Sequence, residues 1–228
     1  METHFQQQMN KLKENLLKMA DLAEKAITHA VDALVARDTP LAEKTIAEDD
    51  AINQMELVID DWCLKLLALH QPLAADLRFI TAAMRINVEL ERIGDHAVNI
   101  AERVVLLNQE PQLKPYIDIP RMAKITKSML RDVLESFIKG DANLARAVCE
   151  RDDEVDALNE QVFRELLTYM IAEPKNITRA VHLVIISRCL ERIADHATNI
   201  AEGVIFMVKA LVIKHRADLK SDSKKDNP

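Results

Sequence analysis

Apolar residues return every three or four positions along almost the whole chain. Met9, Leu12, Leu16, Met19, Ala23, Ala26, Ala30 and Leu34 form the first such stripe. That spacing puts side chains on one face of an α-helix with 3.6 residues per turn. It predicts a helix over about 5–36, closed by Asp38-Thr39-Pro40. A second helix runs to about Leu69, with Ile52, Met55, Ile59, Trp62, Leu66 and Leu69 in three-four alternation, and Pro72 marks the turn after it. A third runs from about Ala75 to Leu107 on Ile86, Leu90, Ile93, Ala97, Ile100 and Val104. The segment Asn108–Pro120 holds Pro111, Pro115 and Pro120 and reads as a loop. A fourth helix covers about 121–139 and ends at Gly140, with Asp141 as N-cap of a fifth that runs to about Ala172. After Pro174 a sixth runs from about Ile177 to Lys214.

These elements fall into halves. The expectation is an all-α chain of six long helices in two tandem three-helix, up-down-up bundles, since short connections favour antiparallel neighbours. The first repeat covers residues 1–108, the linker 109–120, the second repeat 121–214, and the Lys-, Asp- and Ser-rich tail 215–228 is expected to be disordered. The halves also match in sequence. Residues 90–102 read LERIGDHAVNIAE and residues 190–202 read LERIADHATNIAE, differing only at Gly94/Ala194 and Val98/Thr198. Asp49-Asp50-Ala51-Ile52-Asn53 aligns with Asp152-Asp153-Glu154-Val155-Asp156. Self-similarity at a long period marks a duplicated structural unit.

Composition agrees with helices: only 3 Gly and 7 Pro stand against 49% apolar residues. The net charge of −7 argues against a nucleic-acid binder, which needs a basic surface, and favours cations. Cys63, Cys149 and Cys189 show no CxxC spacing and read as reduced, buried residues of a cytosolic protein. No secretory leader is expected. The longest apolar stretch, Val204–Ile213, is broken by Lys209 and is too short for a bilayer.

The polar positions carry the candidate chemistry. Glu91, Asp95, Asn99 and Glu102 lie in one longitudinal stripe opposite the apolar face, and Glu191, Asp195, Asn199 and Glu202 repeat it. The second helix carries Asp49, Asn53, Glu56 and Asp60 in a similar stripe; the fifth carries Asp152, Asp156 and Asn159, with Glu160 nearby. Carboxylates four apart on one helix repel by a few tenths of a kcal/mol, and two such helices side by side need a cation or buried basic groups. Oxygen donors suit Mg, Mn, Ca or Fe, and thiolate zinc sites are excluded. A solvated face has the same look. Its repetition favours a site, and on the residues alone both readings stand. Arg92 and Arg192 recur beside the stripe, either as salt bridges within the bundle or as counter-charges to the acidic cluster. His96 and His196 sit between the apolar and acidic faces, as ligands or as hydrogen-bonded flanks.

The duplicated LERI(G/A)DHA(V/T)NIAE in a three-helix unit resembles the PhoU family of phosphate-uptake regulators, over about residues 5–214. The resemblance implies paired E(D)xxxD metal motifs. Glu91/Asp95, Glu191/Asp195 and Asp152/Asp156 match them, while Asp49/Asn53 departs, so the first site is expected to bind a cation more weakly or to hold fewer ions. It further implies surface multinuclear clusters of divalent or trivalent ions (Fe, Mn, Mg or Zn). Arg92, His96, Asn99, Glu102, Arg192, His196, Asn199 and Glu202 form a second ring of candidates around them. The implied protein is a cytoplasmic homodimer, a negative regulator of the phosphate-starvation response. It contacts the Pst transporter ATPase and the sensor histidine kinase PhoR, binds no nucleic acid, and meets the membrane only indirectly.

No catalytic residue is expected. The chain lacks a phosphate-binding glycine loop and a Ser/His/Asp set. A ferritin-like oxidase would need Glu-x-x-His on two helices, and an HD-type hydrolase a His-Asp order with further histidines. A metal-free helical scaffold and, less favoured, a metal-dependent hydrolase are the alternatives.

Overall fold

The computed structural model describes residues 4–210. Its helices are α1 (His4–Ala36), α2 (Thr39–Ala47), α3 (Asp49–His70), α4 (Ala74–Leu107), α5 (Asp118–Lys139), α6 (Ala142–Ala172) and α7 (Ile177–Lys209), with a 3₁₀ turn at Pro174–Asn176 before α7. The expected second helix is two. It breaks at Glu48 (φ −77°, ψ −7°), whose N–H closes onto the Ile46 and Lys44 carbonyls and ends α2. In the second repeat Arg151 holds the equivalent place inside an unbroken α6. The end of the sixth helix and the tail from 211 lie outside the described residues; α7 itself stops at Lys209, with Ala210 left-handed.

The expected Asp141 cap forms, its carboxylate accepting from the N–H groups of Asn143 and Leu144; at the start of α2, Asp38 caps in the same way by accepting from the Leu41 N–H. Gly140 ends α5 at φ 66°, where a side chain would be strained. The fourth helix starts earlier than expected, at Asp118, because Pro120 sits in its first turn, where no intrahelical N–H is needed.

Each repeat packs three helical arms, α1, α2–α3 and α4 against α5, α6 and α7. The repeats then meet through equivalent helices, α4 on α7 and α1 on α5. Their buried residues form one contiguous cluster, from Met9 to Ile205. Phe79 of α4 stacks on the fully buried Phe137 of α5 with ring centroids 4.6 Å apart. The link between repeats is strapped down: Arg37 donates to the carbonyls of Asn108 (3.1 Å) and Glu110 (2.5 Å), and Arg179 to that of Pro111 (2.9 Å). Such charge-assisted bonds satisfy carbonyls that no helix uses. The acidic stripes are thereby left on the outer α3–α4 and α6–α7 seams.

Candidate metal centres

The first seam is set by Gly94. A Cβ there would lie 2.9 Å from Ile52 Cδ1, 3.3 Å from Ile52 Cγ2 and 3.4 Å from Asp49 Oδ1. The absence of a side chain lets α3 approach α4 and brings Asp49 beside Asp95. The second seam reaches the same end by exchanging volume across the pair, with Ala194 in place of Gly94 and Val155 in place of Ile52, both fully buried. Hydrogen bonds fix the helix levels. Asn87 donates to the Glu56 carbonyl (2.9 Å) and to Asp60 Oδ1 (3.0 Å). Its counterpart Ser187 donates to Asn159 Oδ1 (2.8 Å).

The candidate acidic residues come together as two clusters. Burial first, then the charges of Asp95 and Glu56, with Asp49 adding less, pushes the Glu91 carboxyl above its ordinary value against the pull of Arg92. Burial, Asp95 and Asp50 also raise Asp49, despite the Asn53 amide donating to its Oδ2 at 3.0 Å. In the other cluster burial and Asp195, then Asp156 and Asp152, raise Glu191 against Arg192. Burial and neighbouring carboxylates both disfavour the ionised form. Asp49 Oδ1 is buried and accepts no hydrogen bond. Among the described residues no three acidic, imidazole or thiol side chains converge at ligand distance.

The clusters differ in their surroundings. Asp49 opens α3, where the positive helix end favours a carboxylate, whereas Asp152 lies in the middle of α6 and is only 4% exposed. Arg192 pairs with Asp195 (3.2 Å) and approaches Glu191 (3.8 Å), as a counter-charge should. Arg92 turns to Glu89 (3.5 Å).

The histidines lie elsewhere. His96 and His196 stack on each other where α4 crosses α7, with ring centroids 5.3 Å apart. They join the repeats. Their surroundings are unequal: only His196 has a hydrogen-bond partner at Nδ1. His196 Nδ1 lies 2.6 Å from Glu89 Oε2, which also accepts from Asn199 (3.1 Å). These contacts and the charges of His196 and Arg92 outweigh burial and hold the Glu89 carboxyl below its ordinary value. In the second repeat Cys189 stands where Glu89 does, so His96 Nδ1 is buried without a hydrogen bond. Desolvation, then the neighbouring His196, lowers the His96 pKa. Asn99 bonds the Asp95 carbonyl of its own helix (2.9 Å), and Glu102 pairs with Arg103 (3.5 Å). Glu202 lines a groove of about 660 Å³ between α4 and α7, beside Gly203 and Phe206.

Neither Glu89 nor Glu56 is marked by the repeat. Glu89 lies one position before the repeated segment begins, so the repeat could not mark it. Glu56 lies on the polar stripe of α3, seven residues after Asp49, and its counterpart Asn159 is an amide. The three cysteines are free and buried as expected, and burial pushes the Cys63 thiol up to about 12 and Cys189 to about 11. No helix among the described residues is long and apolar enough to cross a membrane.

Comparison with known proteins agrees with the duplicated architecture. The PhoU domain family model matches residues 16–104 and again 119–204. The phosphate-specific transport system accessory protein PhoU homolog of Aquifex aeolicus is 46% identical over 209 residues, spanning 92% of this chain and 95% of its own. The homolog from Pseudomonas putida is 39% identical over 217 residues, 93% of this chain and 85% of its own. The crystal structure of PhoU from Pseudomonas aeruginosa superposes with a TM-score of 0.87 at 38% identity, covering 91% of this chain and all of that one. That of the phosphate transport system regulatory protein PhoU from Streptococcus pneumoniae gives 0.87 at 31% identity, covering 93% and all of that chain. With two matched copies of the domain and relatives aligned over nearly its full length, the chain belongs to the PhoU family.

Proposed function

We propose that this chain is a non-enzymatic accessory protein of a phosphate-specific transport system. It acts in the cytoplasm as a homodimer and holds the phosphate-starvation response off when phosphate is plentiful. Its contacts are the ATPase subunit of the Pst transporter and the sensor kinase PhoR. Family membership and the relatives' printed role support the link to phosphate transport. The long outer helices offer extended faces of the kind that dock partner proteins.

Metal ions are part of this reading. The donors fit a hard cation: Asp49, Glu91 and Asp95, with Asn53, on one seam, and Asp152, Asp156, Glu191 and Asp195 on the other. The observation that carries it is the buried, unbonded Asp49 Oδ1 among carboxylates that raise one another's pKa. A bound Fe, Mn, Mg or Zn ion would supply positive charge that neutralises each seam. The residues of the chain do the rest. Gly94 sets the approach of α3 to α4, Arg192 offsets part of the second cluster, and the histidine stack joins the two repeats.

Elemental analysis of protein purified without added metal tests the metal centres. Glu91→Ala with Asp95→Ala should lower bound metal and also derepress a phosphate-starvation reporter in phosphate-rich medium. Unchanged metal content in that variant would refute the site, and a reporter that stays repressed in cells lacking the chain would refute the regulatory role.

A further inference from the structure

Where the repeats join, α4 and α7 run antiparallel and leave a groove between two ties. Arg78 Nε donates to the Met207 carbonyl at 3.1 Å and fastens one end. His196 and Asn199 fasten the other by meeting Glu89 (2.6 and 3.1 Å). Between Arg78 and Glu89, α4 rises about 17 Å, three helical turns. The groove there measures about 660 Å³ and is lined also by Asp60 of α3. Its floor is apolar. Ile86 and Ile200 are buried, and Met84, Val88 and Phe206 beside them are half-buried.

The charges of the groove are not balanced within the chain. Its three carboxylates are engaged: Glu89 by His196 and Asn199, Asp60 by Asn87 (3.0 Å), and Glu202 by Arg103 (3.5 Å). Arg85 is exposed and makes no hydrogen bond or ion pair with any described residue. Arg92 keeps 53% of its side chain exposed and reaches only Glu89, at 3.5 Å. Seven residues separate the two arginines, so they share one face of α4 about 10 Å apart along its axis. Glu89 stands between them. One small anion held by both would meet its charge, whereas two separate carboxylates would not. Gly203 adds an independent sign. It lies in the interior of α7 on the groove wall, and a Cβ there would meet nothing within 4 Å. Arg103 holds the same place in the first repeat. A helical glycine costs stability relative to alanine, and no packing within the chain calls for this one. It does let another backbone come close.

We infer that this groove docks an acidic amphipathic helix of a partner protein. Two carboxylates seven residues apart on that helix meet Arg85 and Arg92, and its apolar side chains cover Met84, Val88 and Phe206. A third helix laid along two others is ordinary helix packing, and three turns fill the space between the ties. The assignment rests on the reading that the chain works by docking partner proteins. It is separate from the metal reading, since the groove contains none of the donors proposed for cations.

The test uses the full chain and a displayed library of helical peptides of about fourteen residues. Two positions seven apart vary among Glu, Gln and Lys, and the affinities of selected peptides are read by fluorescence anisotropy. Selection should favour Glu at both positions. Arg85→Glu with Arg92→Glu should weaken such a peptide at least about tenfold, and the Lys version of the same peptide should recover the loss. Gly203→Leu should abolish binding with far-UV circular dichroism unchanged. Selected peptides without the acidic pair, or binding indifferent to the arginine and glycine variants, overturn the assignment. So does a dimer in sedimentation equilibrium that Gly203→Leu makes monomeric, which would give the groove to a second copy. Displacement of the selected peptides by a synthetic peptide of residues 211–228 would give it to the chain's own tail and overturns it equally. Neither metal content nor the starvation reporter enters these readouts, so failure here is distinct from failure of the proposed function.

Discussion

The Gly94–Ile52 contact gives a quantitative handle on how the first seam is built. Gly94→Ala adds a methyl group 2.9 Å from Ile52 Cδ1, inside van der Waals contact. Ile52 is only 2% exposed, so the displaced methyl has little room to go. Overpacking of this kind costs about 1–3 kcal/mol. The replacement also removes a glycine from a helix interior, which returns about 1 kcal/mol. The single variant should therefore fall between neutral and roughly 2 kcal/mol less stable. Ile52→Val alone deletes the offending methyl from a packed site and should cost about 1 kcal/mol. Together the two changes rebuild the pairing that Ala194 and Val155 make in the second repeat. The 2.9 Å clash then has no atom to fall on, and the 3.3 Å contact with Cγ2 and the 3.4 Å contact with Asp49 Oδ1 stay. The double variant should be more stable than the sum of the singles by about 1–2 kcal/mol, a coupling of the size expected for touching residues. For a chain of this length that is roughly 2–8 °C in melting temperature. Urea unfolding of the four proteins in chelator, at one pH, measures the cycle. Additivity within about 0.3 kcal/mol would refute the claim that this contact limits the approach of α3 to α4.

Two further outcomes follow from the interface between the repeats. Glu89→Gln should lower stability at neutral pH by about 1–3 kcal/mol, because the acceptor for His196 and Asn199 loses its charge. The Glu89 carboxyl is held below 4.5, so its contribution is present above that pH and is lost as pH falls through the lowered value. The deficit of the variant should therefore vanish in strong acid, and a deficit independent of pH in parallel thermal melts would refute the role given to its charge. Phe137→Ala should cost about 3–5 kcal/mol. Because the core is one cluster, it should shift a single unfolding transition; two separated transitions by circular dichroism and tryptophan fluorescence would show that the repeats unfold independently.

Much of this architecture was written in the residues. Stripes with a period near 3.6 located the helical arms, Asp38-Thr39-Pro40 marked a break between two of them, and Gly140 and Asp141 marked an end and a start that the structure caps as expected. The break at Glu48 was not legible. Thr45 and Ile46 continue the helical pattern, and no glycine or proline intervenes. The short α2 that the break creates packs against α1 and α4, neighbours that spacing along one helix does not reveal. Likewise, the repeat identified Glu91, Asp95, Glu191 and Asp195 because duplication kept them identical. It could not show what those helices meet across the seam, where Asn87 reaches the Glu56 carbonyl and Ser187 reaches the Asn159 side chain.

The sequence by itself determined the helices, the duplication, the family and the two acidic stripes, because each is a property of spacing along one chain. The tertiary structure decided which stripes face each other, and it did so through contacts between residues far apart in sequence. Gly94 against Ile52 sets a seam, His96 against His196 joins the repeats, and Glu89 serves one histidine while Cys189 leaves the other without an acceptor. Pairwise distance decides such matters, and helical periodicity carries no information about the neighbour across the seam.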